Sequence, residues 1–401
     1  MVQNFMPDPM STPLDAGAAP AAGSNTAPFL PYHDLRQWLE EAQKLGEVRE
    51  LGGLTYQRDI GMVAEMSAHA DDAPCFLFRD VPGTLPGSRL LVNFFAGKRK
   101  AMTLGFSTEQ SKLELSESFR VNHAGMGKRI PPKFVETGPV MQNVLTGDAI
   151  DVTRFPAPQW HPEDGGRYIG TGCYNIMRDP DDGWINCGTY RVMIHDQKTL
   201  GFYISPGKHG RVMRDKYAAR GERMPVAIVC GGDPMSFLMG SSEVPQGVCE
   251  LDVIGGMRGQ PVEVIKGPVT GLPIPANAEI VIEGFVEPGN VREEGPFGEW
   301  TGYYASDERP EPVIDIKAIY HRNEPILLGC VPQRPPDEIC RYRAIVRSAL
   351  LRENIEKAGV PGITAAWAHE VGNARLFLAV AVKQRYPGHA KQAGHIAAQC
   401  H

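Results

Sequence analysis

The sequence predicts a mixed α/β (α+β) chain in three folded parts, with a barrel-like sheet at the centre. The 401 residues at 42% hydrophobic composition exceed what one core can fill, since single cores stop growing near roughly 250–300 residues. Gly at 44 and Pro at 34 exceed average usage of roughly 7% and 5%, which favours many turns and short strands. Helical and strand periods alternate along the chain, with strand patterns concentrated between Val140 and Arg322.

Residues 1–28 are rich in Ala, Pro, Gly, Ser and Thr without periodicity and are expected to be a disordered lead-in. Folded structure starts with Leu35, Trp38, Leu39, Ala42 and Leu45 at helical spacing, stopped by Gly46. Residues 29–130 then read as an N-terminal α/β unit with short apolar runs at Cys75–Phe78 and Leu90–Val92. In residues 131–322, Tyr174–Met177, the turn Asp179–Gly183 and Trp184–Ile194 read as strand, turn, strand. Further strand patterns lie at Glu279–Val286 and Val313–Tyr320, and a buried strand at Pro225–Cys230 follows a helix over Arg211–Arg220. Residues 323–401 read as a C-terminal α/β part: a helix Arg343–Ala358 ended by Gly359, a strand Leu376–Val382 and a helix from Gly388. Because a parallel sheet would need its next strand after His401, that part is expected to be truncated.

The net charge of −6 is dispersed, and the basic trio Lys98-Arg99-Lys100 reads as a solvated loop, so no nucleic-acid partner is expected. Eight cysteines without CxxC pairs read as reduced thiols. No apolar run approaches the roughly 18 residues of a membrane span, so a cytoplasmic protein without a membrane partner is expected.

Several strings could carry chemistry. In Glu293-Glu294-Gly-Pro-Phe-Gly-Glu299-Trp-Thr-Gly302-Tyr-Tyr304, two carboxylates flank turn residues and can project from one loop; a solvated surface turn is an equally weighted reading. Arg191, in Trp184-Ile-Asn186-Cys-Gly-Thr189-Tyr190-Arg191, enters an apolar strand and needs an anionic partner, and its planar fork suits a carboxylate. Lys208-His209 and the segment Ser241-Ser242-Glu243 through Glu250 place polar side chains beside Gly- or Ser-rich backbone. An Asn, a His and a Glu together offer the hard donor set that Mn²⁺ or Mg²⁺ prefers.

These strings, in this order and spacing, resemble the UbiD family of decarboxylases. EGPFGE followed by WTGYY is similar to that family's most characteristic segment, and PQRPPDE at Pro332–Glu338 resembles its proline-rich approach to the C-terminal domain. The resemblance implies a split β-barrel that binds prenylated FMN at the centre and a C-terminal oligomerisation domain. It further implies a catalytic triad of Arg191, Glu294 and Glu299. Asn186, His209 and Glu250 would hold the metal, with K⁺ nearby. Asn186, Thr189, Tyr190, Arg191, Lys208, His209, Ser241, Ser242 and Glu250 would contact the cofactor.

The implied reaction is reversible non-oxidative decarboxylation of an aromatic, heteroaromatic or other α,β-unsaturated acid, with Arg191 orienting the carboxylate and Glu299 donating the proton. A flavin prenyltransferase would supply the cofactor, and homodimers or homohexamers are expected by analogy. Tyr190, beside the triad arginine, could stack on an aromatic substrate, although a core tyrosine is the commoner outcome. Two departures from the family pattern stand out: Glu243 takes a place held by an apolar residue in some relatives, and the family's phosphate-binding lysine has no counterpart before His401. The rival readings are a flavin reductase-like protein and a noncatalytic subunit of a multisubunit carboxylase.

Overall fold

The protein is described here by a computed structural model covering residues 30–123 and 127–400. The expected lead-in of residues 1–28 lies outside the described residues.

The N-terminal part runs α1 (Leu35–Lys44), β1 (Val48–Gly52), α2 (Asp59–Ala68), β2 (Cys75–Arg79), β3 (Arg89–Val92), α3 (Arg99–Leu104) and α4 (Lys112–His123). Asp34 caps α1 by accepting from the Gln37 amide at 2.9 Å. The predicted apolar stripe is buried at Leu35, Trp38, Leu39 and Ala42. The central part follows with β4 (Lys133–Phe134), β5 (Asn143–Thr146), β6 (Arg167–Gly170), β7 (Tyr174–Arg178), β8 (Ile185–Gly188), β9 (Arg191–Ile194), β10 (Thr199–Tyr203), α5 (His209–Ala219), β11 (Met224–Val229), α6 (Pro234–Gly240), α7 (Glu250–Arg258), β12 (Glu263–Lys266), β13 (Pro273–Pro275), β14 (Ile280–Glu294) and β15 (Arg309–His321). The chain ends with β16 (Ile326–Leu328), α8 (Glu338–Lys357), β17 (Ile363–Ala368), β18 (Leu378–Val382) and α9 (His389–Gln399).

Nine strands form one curled antiparallel sheet in the order β6-β9-β10-β15-β14-β11-β7-β8, with β5 also on β15. Its spine is the long hairpin β14–β15, bent by register shifts at Glu283/Gly284 and Val286/Val291. Such bulges let a long strand curl toward a barrel. On one face of the curl Val192, Phe202, Ile228 and Ile282 are buried.

Several expectations are corrected. Trp184–Ile194 is two strands: β8 pairs with β7 while β9 pairs with β6 and β10, and Thr189-Tyr190 carries the chain across the open side of the curl. Ile326–Leu328, placed by the sequence at the start of the C-terminal part, returns to pair with β3 in the N-terminal sheet. The C-terminal strand starts at Leu378 and runs antiparallel to β17, an Ala-rich strand with little β signal, so the parallel unit expected there is a hairpin. The basic trio is not a solvated loop. Arg99 is fully buried, donating to Glu47 Oε2 at 2.7 Å and to the carbonyls of Ala73 and Asn93 at 2.6 and 3.0 Å, and Lys100 is 8% exposed. Three acceptors offset the cost of burying that charge.

The parts share cores. Trp38, Phe94 and Phe95 from the N-terminal part pack with Phe237 and Leu251 from the central part and Tyr342 and Ile345 from α8. Arg36 forks onto Glu279 at 2.9 and 3.0 Å. Glu338, the first residue of α8, accepts from the amides of Asn93 and Phe95 at 3.2 and 3.1 Å. A separate core under β17, β18 and α9 joins Leu351, Ile355, Val360, Ile363, Ala393 and Ala397. All eight cysteines are free. Among the described residues no helix is long and apolar enough to cross a membrane.

α2 lies against the segment that enters the central sheet so closely that a Cβ on Gly61 would stand 2.1 Å from the Trp160 carbonyl oxygen. Backbone cannot yield as a flexible side chain can. Gly61→Ala is therefore expected to destabilise the protein by on the order of 1–3 kcal/mol, read as a lowered thermal midpoint; an unchanged midpoint would show that the contact is slack.

Candidate active site

Arg191 opens β9, and its side chain is 12% exposed. Glu294 closes β14 and is 1% exposed. The pair is bidentate: Nε to Oε1 at 2.8 Å and Nη2 to Oε2 at 2.7 Å, across 103 positions of sequence. Nη1 donates to Glu299 Oε1 at 3.2 Å. One guanidinium thus gathers both carboxylates, so the loop is not a turn of two freely solvated acids.

Three rings surround that cation: Tyr203 at 4.4 Å, Phe297 at 4.8 Å and Tyr168 at 5.9 Å from the guanidinium carbon. They form an apolar, quadrupole-rich wall. Tyr203 and Tyr168 carried no sequence signal because strand aromatics are ordinary core residues. The loop bearing Glu299 is fixed from below: Asp164 Oδ1 accepts from the Gly298 amide at 2.9 Å, and the Gly165 amide donates to the Pro296 carbonyl at 2.8 Å. A Cβ on Gly165 would meet the Gly295 carbonyl oxygen at 1.9 Å, so this close approach requires glycine.

Burial raises the Glu299 carboxyl above its usual range; Arg191 opposes the shift and Glu294 reinforces it. The 32% exposure of its side chain faces a cavity of about 540 Å³ that is also lined by Met62, Met66, Trp160, Tyr303 and Gln333.

A second cluster stands where β8 meets α7. Glu250 Oε1 accepts from Asn186 Nδ2 at 2.9 Å and Oε2 from the Cys187 amide at 2.7 Å. Asn186 Oδ1 accepts from the Tyr190 hydroxyl at 3.2 Å, and that hydroxyl accepts from the Gly210 amide at 3.1 Å. His209 starts α5 beside this chain of bonds, with its ring edge-on to Trp184 at 5.0 Å. Tyr190 is 8% exposed and edge-on to Phe202. Its ring is part of the core, the commoner of the two outcomes expected for it, and is not displayed for stacking on a substrate.

Glu250 is 3% exposed and has no ion pair among the described residues. Burial, opposed by its hydrogen bonds, pushes its carboxyl up to about 7. A buried carboxylate held only by neutral donors, with an amide oxygen and an imidazole close by, fits a divalent cation. Among the described residues there is no group of three or more His, Cys, Asp or Glu suited to a metal, so any such site depends on the Asn186 amide. Ser241 and Ser242 turn their hydroxyls back on the Leu238 carbonyl at 2.9 and 2.7 Å, and the Thr189 amide donates to the Gly240 carbonyl at 3.0 Å. These bonds place Thr189, Ser241 and Ser242 side by side at the end of α6. Lys208 immediately precedes α5.

The chain is similar to known proteins over most of its described length. Residues 133–335 match the family model described as the 3-octaprenyl-4-hydroxybenzoate carboxy-lyase Rift-related domain, and residues 341–401 match the corresponding C-terminal domain. A pyrrole-2-carboxylic acid decarboxylase of Pseudomonas aeruginosa is 31% identical over 337 residues, covering 82% of this chain and 67% of that protein. Ferulic acid decarboxylase 1 of Candida dubliniensis is 33% identical over 235 residues, covering 57% and 45%. This chain thus spans two thirds of the first relative's length and under half of the second's. Among solved structures, an evolved dimeric form of the UbiD-class enzyme HmfF from Pelotomaculum thermopropionicum, in complex with prFMN, superposes with a TM-score of 0.82 at 25% identity over 92% of this chain and 83% of that one. The open form of the Sedimentibacter hydroxybenzoicus vanillic acid decarboxylase gives 0.82 at 26% identity over 91% and 77%. With the triad strings inside the matched segments and the curled sheet shared, the chain belongs to the UbiD family.

Proposed function

We propose that this chain catalyses reversible non-oxidative decarboxylation of an aromatic or heteroaromatic, α,β-unsaturated carboxylic acid with prenylated FMN. The observation that carries this reading is the single guanidinium of Arg191 held between Glu294 and Glu299 beside a cavity of mixed apolar and polar lining. Prenylated FMN, when bound, supplies the electron sink that loss of carbon dioxide from an sp² carbon demands and that side chains lack.

Arg191 has five N–H donors, and the glutamates claim one each on Nε, Nη1 and Nη2. One donor per terminal nitrogen is left, the fork that orients a substrate carboxylate. Glu294 fixes the plane of that fork. Glu299 then delivers a proton to the carbon that lost the carboxylate, and its raised pKa keeps it protonated at higher pH than an exposed acid would be. Met62, Met66, Trp160 and Tyr303 around the adjoining cavity support an aromatic substrate.

Asn186, His209 and Glu250 would hold Mn²⁺ (or Mg²⁺), which neutralises the cofactor phosphate. Thr189, Tyr190, Lys208, Ser241 and Ser242 belong to the same cofactor wall in this reading. A nearby K⁺, a flavin prenyltransferase as cofactor supplier, a cytoplasmic location and assembly as homodimers or homohexamers follow by analogy with the family.

The direct test is the absorbance spectrum and released-cofactor mass of protein co-produced with a flavin prenyltransferase, against protein produced without it. Prenylated flavin with stoichiometric Mn²⁺ and carbon dioxide release from an aromatic acid are expected. Unmodified flavin in both samples would favour a reductase, and an empty folded protein a noncatalytic subunit.

Glu299→Gln is expected to lower turnover by about 10²–10⁴-fold with cofactor retained. In the parent protein the rate of decarboxylation falls as pH rises through the raised Glu299 pKa, because the donor loses its proton. Near-normal turnover in the variant would remove Glu299 as donor. His209→Ala is expected to deplete metal and flavin together, measured by metal analysis and absorbance; full occupancy of both would exclude His209 from the ligand set.

A further inference from the structure

Outside the Arg191 cluster, several like charges gather where α8 meets the central part. The Tyr342 hydroxyl and Ser241 Oγ share a hydrogen bond, which seats the start of α8 on the end of α6. One turn on, Arg347 Nη2 reaches Glu243 Oε1 at 2.6 Å. Arg347 Nη1 donates to the Ala374 carbonyl at 3.3 Å, which brings the following residue, Arg375, to the same place. Arg343 lies against the Tyr342 ring, its guanidinium carbon 5.9 Å from the centroid. The charge of Lys208, from the segment before α5, interacts with Glu243, Arg375, Arg343 and Arg347.

Four cations therefore share one carboxylate, and Glu243 has 65% of its side chain exposed. The Nε atoms of Arg343 and Arg375 are buried without a hydrogen-bond partner. Burial, with the neighbouring arginines adding to it, lowers Arg375 to about 10, and burial also lowers Arg347. Crowded guanidinium groups with unused donors are costly, and a multiply charged anion with several acceptor oxygens would satisfy both the charge and the donors.

We infer that Arg343, Arg347, Arg375 and Lys208 form a seat for the phosphate of the flavin nucleotide, in which Glu243 is the internal counter-ion that the phosphate displaces. The inference rests on the flavin chemistry proposed above. The seat adjoins Ser241 and Lys208-His209, on the side of the Asn186–Glu250 cluster, whereas the fork of Arg191 belongs to β9 and the Glu294–Glu299 loop. A phosphate therefore fits here, and a substrate carboxylate fits there. Glu243, the departure from the family pattern, has a role in this arrangement: its pair with Arg347 ties α8 to the central part until the anion arrives.

FMN and riboflavin differ by the phosphate alone, so titrating each into the whole protein with Mn²⁺ present, followed by flavin fluorescence, isolates its contribution. Arg343→Gln and Arg375→Gln are each expected to weaken FMN binding roughly tenfold or more and to leave riboflavin binding unchanged, which also reports that the fold survives. Glu243→Gln is expected to tighten FMN binding several-fold, about what loss of one competing ion pair gives. Unchanged FMN affinity in the arginine variants, or equal losses for both flavins, would overturn the seat; weaker FMN binding in Glu243→Gln would overturn the displaced counter-ion. Parent protein that binds both flavins equally well overturns the seat and leaves the flavin reading standing, whereas protein that binds neither overturns both.

Discussion

The arrangement of this molecule depends on a buried cation. Arg191 sits among Tyr168, Tyr203 and Phe297, and removing a guanidinium from water costs several kcal/mol unless its donors are met. Glu294 meets two of them at 2.7–2.8 Å. Loss of one partner of such a pair leaves an uncompensated charge, a penalty of about 3–5 kcal/mol. The pair spans the sheet from β9 to β14, so it also fixes where β14 ends and where the loop carrying Glu299 begins.

From that constraint the rest of the site follows. β14, bent by its bulges, ends at Glu294, and the following Gly-Pro-Phe-Gly loop is held by the Asp164 carboxylate and by backbone contact with Gly165. Glu299 is then left between a cation, a second carboxylate and a cavity. Its raised pKa is the outcome of burial winning over the attraction of Arg191. A surface loop with the same residues would keep two solvated acids of ordinary strength.

The central sheet does not stand alone. β16 carries the chain back into the N-terminal sheet, and Glu338 anchors the start of α8 to the Asn93–Phe95 backbone. α8 is therefore braced by the N-terminal part before its arginines reach Glu243. Because one core runs through all three parts, a change in how α8 sits is felt at Ser241 and at the end of α6. That is the physical basis on which the Arg347–Glu243 pair is coupled to the end of α6.

Much of the site could be read in the sequence. The strings at 186–191, 208–209, 241–250 and 294–304 named the residue types, and the structure gathers them into two adjoining clusters. The stripe of α1, the turn Asp179–Gly183 and the strands of the central hairpin were likewise visible, because helical and strand periods are local properties. The burial of Arg99, the rings around Arg191 and the hairpin β17–β18 were not. Each depends on a partner outside its own local period: Arg99 on Glu47 and Ala73, Phe297 and Tyr168 on Arg191, and Ala-rich β17 on β18. The sequence by itself determined which chemical groups were present and which segments would be helix or strand. The tertiary structure alone decided that Arg191 reaches across 103 positions to Glu294, and that two arginines of α8 and a third from the segment before β18 stand beside Lys208. Strand order and helix docking set those distances, and no local period records them.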